Sequence, residues 1–172
     1  MARASAHVIG HSSASPDAVW AVVRAFCGLW HPAMKECRAE TDAQGAVVRA
    51  FTVHGEDTEY RERLTWFSDS DRSLGYTHVQ GINGVDAYDA RITVAEAEGG
   101  GSAITWTARI SAPSPRADEI AKGTEAIFQA GLKALETVAD APVLRPLAEI
   151  DTPLETLVID DLAGGLGEIA AK

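Results

Sequence analysis

Tyr60-Arg61-Glu62-Arg63-Leu64-Thr65-Trp66 reads as a β-strand. Its alternation places Tyr60, Glu62, Leu64 and Trp66 on one face and Arg61, Arg63 and Thr65 on the other. The first face is the better candidate for the interior, and it sets a carboxylate among two aromatic rings and a leucine. A lone buried charge is costly, so Glu62 needs a cationic partner, a proton, or water in a cavity. Each option describes a hollow, partly polar interior. The plain alternative is an edge strand with Glu62 in solvent.

Working outward, strand follows strand at about 35–42, 46–54, 58–68, 72–80, 85–97 and 102–112. The turn signals between them are short: Asp42-Ala43-Gln44-Gly45, His54-Gly55-Glu56-Asp57, Ser68-Asp69-Ser70-Asp71, Gly81-Ile82-Asn83-Gly84 and Glu98-Gly99-Gly100-Gly101. Short connections imply antiparallel hairpins. Upstream, residues 4–12 read as a first strand, with His7, Ile9 and His11 on one face and Val8 and Gly10 on the other. Ser15-Pro16-Asp17 then carries helix-start chemistry: a capping serine, a proline at the first helical position and an acid in the first turn. That helix runs to about Cys27, and Leu29–Met34 is a second short helical or irregular piece. Ser114-Pro115 repeats the start signal before a long helix over about 116–139, with Ile120, Ile127, Phe128, Leu132, Leu135 and Val138 at helical spacing. This order suits an α+β fold, a curved antiparallel sheet of about seven strands around the last helix. Residues 1–141 form one domain in this reading, and 142–172 form a tail with one or two short helices.

Composition narrows the function. The 172 residues are 46% hydrophobic and 23% charged, and 25 acidic against 15 basic residues give a formal charge of −10. Such a balance works against nucleic-acid binding, which needs a basic patch. No run of about 18 apolar residues predicts membrane insertion, and the first residues lack the apolar core of a signal peptide. A cytoplasmic location is therefore expected. Cys27 and Cys37 fit no zinc spacing, and Cys27 reads as a small core residue. No metal or cofactor is expected.

Gly123, Ile127 and Gly131 share one stripe of the long helix. A mid-helix glycine costs about 1 kcal/mol relative to alanine, so two on one stripe need a reason. Either the backbone packs closely on the sheet, or a ligand fills the space that side chains leave.

Ser15-Pro16-Asp17-Ala18-Val19-Trp20, Met34-Lys35-Glu36-Cys37, Glu62-Arg63-Leu64, Gly75-Tyr76, Tyr88 and Gly131-Leu132-Lys133-Ala134-Leu135-Glu136-Thr137-Val138-Ala139 occur in an order that resembles the START/Bet-v-1-like (SRPBCC) superfamily, often called polyketide cyclase/dehydrase-like. The likeness spans about residues 5–140 and is nearest to the branch holding the plant abscisic acid receptors and their bacterial relatives. It implies the helix-grip fold, with two short helices after the first strand and a cavity between sheet and last helix. It also implies a lysine on a ligand carboxylate at Lys35, a pocket glutamate at Glu62 and a pocket tyrosine at Tyr88. The receptors' pocket asparagine falls at Gly131. The receptor gate loop is replaced by His54-Gly55-Glu56-Asp57 and the latch by Asn83-Gly84-Val85, so hormone gating is not carried over.

Arg49 lies on the strand before Glu62, with Phe51 and Val53 on its face. A Lys35–Arg49–Glu62 cluster would satisfy buried charges mutually and leave handles for an anionic or hydroxylated ligand. The alternatives are a structural ion pair or charges on the convex face. His78 shares a strand face with Tyr76, and His31 sits beside Trp30 and Pro32. The candidate ligand contacts are Lys35, Arg49, Phe51, Tyr60, Glu62, Tyr76, His78, Tyr88, Ile127 and Gly131, with Glu62 and His78 as candidate acid–base groups. Three functions follow. The first is a carrier or sensor for a hydrophobic small molecule with a polar end. The second is a cyclase/dehydrase-like enzyme, and the third an interaction module. A homodimer stays open.

Overall fold

The structure, a computed structural model, describes residues 1–139. The expected tail over 142–172 lies outside the described residues. Strand β1 (Ala2–Ser12) leads into helix α1 (Pro16–Val23). Six strands follow: β2 (Met34–Thr41), β3 (Val47–Val53), β4 (Tyr60–Ser68), β5 (Ser73–Gln80), β6 (Ala87–Glu96) and β7 (Ser102–Ala112). Helix α2 (Arg116–Leu135) closes the described part. All seven strands form one open antiparallel sheet in the order β1-β7-β6-β5-β4-β3-β2. This is the helix-grip arrangement.

Ser15 caps α1 by accepting a hydrogen bond from the Ala18 N–H at 3.2 Å. The similar Ser114-Pro115 does not cap α2, which begins after a cis Ser114–Pro115 peptide with Pro115 itself at the cap position. The second short helix is a correction. Leu29–Met34 makes a single turn, closed by the Met34 N–H to the His31 carbonyl at 3.1 Å. Pro32 supplies no N–H there, and the His31 ring is tied to α2, so the chain turns straight into β2.

Helix α2 packs over β1 and β7. There Gly10 permits close approach, since a Cβ on it would lie 2.9 Å from the Leu132 Cβ. Val19, Val23, Ile92, Val94, Ile104, Phe128 and Leu135 fill the core on this side. The helix leaves the concave face of β3, β4 and β5 uncovered, and this is where inward-facing polar residues collect.

A bulge in β4 decides which of its side chains those are. One extra residue, Thr65, lies between the pairs Leu64–Tyr76 and Trp66–Gly75. A one-residue slip reverses the facing of everything beyond it. Trp66 therefore leaves the face of Glu62 and Leu64. It is 43% exposed on the convex side, where the Arg91 guanidinium lies 5.3 Å from its ring centre. Cys27 and Cys37 are free, half-buried thiols. Burial, with Cys27 as neighbour, pushes Cys37 up to about 11.

Candidate functional site

Between the uncovered part of the sheet and the first half of α2 lies a cavity of about 560 Å³. That is within the usual range of small-molecule sites. Arg49, Phe51, Tyr60, Glu62, Tyr76, Tyr88 and Ile127 of the expected residues line it. Lys35, His78 and Gly131 do not.

Antiparallel pairing sets Arg49 directly opposite Glu62, and Phe51 directly opposite Tyr60. Paired residues share a sheet face, so both couples point into the concavity. Arg49 is 7% exposed. Its Nε and Nη2 each stand 2.6 Å from Glu62 Oε2, and Nη1 donates to the Phe26 carbonyl at 3.0 Å. The guanidinium also lies 4.4 Å from the ring centre of Phe26, 5.4 Å from that of Phe51 and 4.8 Å from that of Tyr76. Such an enclosure offsets the desolvation of a cation by charge, hydrogen bonds and ring quadrupoles together. Phe51 and Tyr60 stack at 5.4 Å beside the pair.

Two phenols stand deeper. Tyr76 accepts from the Trp106 indole N–H at 3.2 Å, and Tyr88 shares a hydrogen bond with Thr124. Burial pushes both phenols well above their ordinary value, and the nearby Glu62 carboxylate adds to it. Both remain neutral O–H groups. At the rim, Tyr60 donates to Glu56 Oε2 at 2.6 Å, and burial with that contact pushes it up to about 12. Arg116 holds the Asn83 carbonyl at 2.9 Å and Glu119 at 3.3 Å.

The residues off the wall have physical reasons to be there. Lys35 is exposed at a bulge of β2 between Met34 and Glu36, on the sheet's edge strand. His78 pairs with Glu62 across the strands, but its ring turns into the following loop. Nε2 accepts from the Ile82 N–H at 3.0 Å, and the ring also bonds the Gln80 backbone. The two glycines of the helix stripe divide. A Cβ at Gly131 would lie 2.7 Å from His31 Cδ2 and 2.8 Å from Trp106 Cζ3, so close packing explains it. A Cβ at Gly123 would meet nothing within 4 Å, and Gly123 lines the cavity.

His31 is the clamp between the α1–β2 turn and α2. Its Nε2–H donates to the Ile127 carbonyl at 2.8 Å, and Nδ1 accepts from the Ala33 N–H at 3.1 Å. Burial lowers its pKa, and burial also lowers that of His78. Both folded values lie below the unfolded value of about 6.5. The unfolded chain therefore takes up protons first as pH falls. This part of the stability is complete above about pH 6.5 and is lost as pH falls through the folded values. Urea midpoints should drop between pH 7 and pH 5, and His31→Gln should shrink the drop. An unchanged midpoint would mean that the histidines are not held neutral.

Thr124 is a site residue that the sequence reading passes over. It sits at the spacing Ile120-Thr124-Phe128, a hydroxyl within a buried apolar stripe, and that was its available signal. Glu119 and Arg116 carried none, because charges on an exposed helix turn are ordinary.

A sequence model of the family described as polyketide cyclase / dehydrase and lipid transport matches residues 1–140. No curated protein matches. Among solved structures, the protein XoxI from Bacillus cereus is similar at 25% identity and a TM-score of 0.66, covering 79% of this chain and 94% of that one. An uncharacterised protein from Bacillus thuringiensis is similar at 24% identity and a TM-score of 0.65, covering 78% of this chain and 96% of its own. Among the described residues, no helix is long and apolar enough to cross a membrane.

Proposed function

Because this chain belongs to the polyketide cyclase / dehydrase and lipid transport family, we propose that it binds a hydrophobic small molecule with one polar end, as a carrier or sensor. The observation that carries this reading is the cavity itself: about 560 Å³, aromatic along its walls, with one ion pair at its inner pole. Binding is favoured over turnover because the buried titratable groups of the wall are ion-paired, hydrogen-bonded or kept protonated. Arg49 is committed to Glu62, both nitrogens of His31 are bonded, Tyr76 and Tyr88 keep their protons, and His78 serves a turn.

Native mass spectrometry of the purified full chain tests the reading. A discrete added mass that departs on mild activation is expected, or saturable one-to-one uptake of the neutral dye Nile red. A clean apo mass together with no saturable dye binding sinks it. Ile127→Trp supplies a second check. Ile127 lines the cavity yet is 54% exposed, so a larger ring there obstructs the mouth without crowding the core. Dye affinity should fall by about tenfold, roughly 1.4 kcal/mol. Stability should move by no more than about 0.5 kcal/mol, as at other exposed positions. Severe unfolding would mean a solid core at this place.

A further inference from the structure

The polar end of the ligand can be specified further. We propose that the cavity selects a molecule whose buried end is a neutral hydroxyl, donated to Glu62 Oε1, and that it rejects a carboxylate there. The inference rests on the cavity-binding reading above and runs opposite to the lysine–carboxylate contact that the family resemblance implied.

The first ground is that the cationic charge is already used. Arg49 is the one buried cation on the cavity wall among the described residues, and both its contacts to Glu62 are at 2.6 Å. Its third contact is the Phe26 carbonyl, and three rings lie against the guanidinium. Arg116 at the rim is held by Asn83 and Glu119. Lys35, which would have met a carboxylate, is exposed and off the wall. A ligand anion at the buried end would find no uncommitted buried cation among the described residues, since His54 lines the cavity only as an exposed side chain, and it would face Glu62 with two rim carboxylates, Glu56 and Glu119, behind it. The formal charge of −10 repels it before entry as well.

The second ground is what stays available. Both guanidinium contacts fall on Oε2 of Glu62, so Oε1 is the acceptor that the pair leaves over. Tyr76 already accepts from Trp106, and its own O–H is left to donate; Tyr88 brings a second phenol O–H. The pole therefore offers one strong acceptor beside neutral donors. A hydroxyl answers both, because it donates one bond and accepts another. An ether answers only the donors and leaves the carboxylate oxygen desolvated and unpaired, which a site built for hydrogen bonding penalises heavily.

The test displaces Nile red from the full chain at pH 7 with three probes of one shape: 2-naphthol, 2-methoxynaphthalene and 2-naphthoate. An apolar pocket without a polar pole would favour the ether, which is the more hydrophobic of the neutral pair. Here 2-naphthol should bind at least tenfold more tightly than the ether, and 2-naphthoate should be the weakest. In the double variant Arg49→Met/Glu62→Leu the advantage of 2-naphthol should shrink to within twofold. The wild-type comparison decides by itself if that variant fails to fold. An ether that binds as well as 2-naphthol overturns the inference, as does a naphthoate that binds best, while the cavity reading survives through the dye. Failure of Nile red and of all three probes to bind overturns the cavity reading, and this inference with it.

Discussion

Glu62→Gln should cost about 3 kcal/mol of folding stability, the lower end of what breaking a buried ion pair costs. The substitution keeps the side chain's shape and removes its charge. Arg49 then keeps a guanidinium with the Phe26 carbonyl and three rings but no counter-charge. The side chains of the pair are 8% and 12% exposed, so bulk water cannot take over. The lower end applies because the carboxylate borders a cavity that admits some water. Replacing both partners, as Arg49→Met/Glu62→Leu, should recover most of the loss, since two apolar groups leave no unpaired charge. Urea unfolding of the three proteins reads the effect. A single substitution costing less than about 0.5 kcal/mol, the range of ordinary surface changes, would show that cavity water solvates Arg49 and that the pair does not hold β3 to β4.

Gly131→Ala should destabilise by about 2 kcal/mol, although alanine is the better helix former. The propensity gain is about 1 kcal/mol. Against it stands overpacking, which reaches about 3 kcal/mol where neighbours cannot move. Neither neighbour can. His31 is bonded at both ring nitrogens. Trp106 is stacked on Phe128 at 4.1 Å and bonded to the Tyr76 oxygen. The matched control is Gly123→Ala on the same stripe, where a Cβ meets nothing within 4 Å. It should raise stability by up to about 1 kcal/mol. Thermal unfolding of the pair should therefore show shifts of opposite sign. A stabilised Gly131→Ala would mean that the His31 turn gives way and is not a clamp.

How much was legible varied with the kind of signal. Strand and helix placement followed from local chemistry: alternation, short turns, and the serine–proline start of α1. The requirement on Glu62 was also local, because a carboxylate beside Tyr60 and Leu64 on a strand face must find a partner once that face is buried, although the second ring of that reading, Trp66, turned out to lie on the other side. Arg49 on the neighbouring strand was among the candidates. The α2 start was misread in its detail, since Ser114 repeats the motif at Ser15 but does not cap.

The amino-acid sequence by itself determined a single antiparallel sheet gripped by a long helix, the family, and a carboxylate that needs neutralisation if its strand face is buried. The sheet, the helix and the requirement on the carboxylate depend on periodicity and on the cost of burying charge, which act over a few residues, and the family rests on the order of short motifs along the chain. Only the tertiary structure decided which side chains meet. The extra residue at Thr65 turns Trp66 out, the bulge in β2 leaves Lys35 in solvent, and the His31 ring takes the room at Gly131 while Gly123 faces open space. Register, bulges and the seating of one element on another are collective properties, and no local stretch of chain records them.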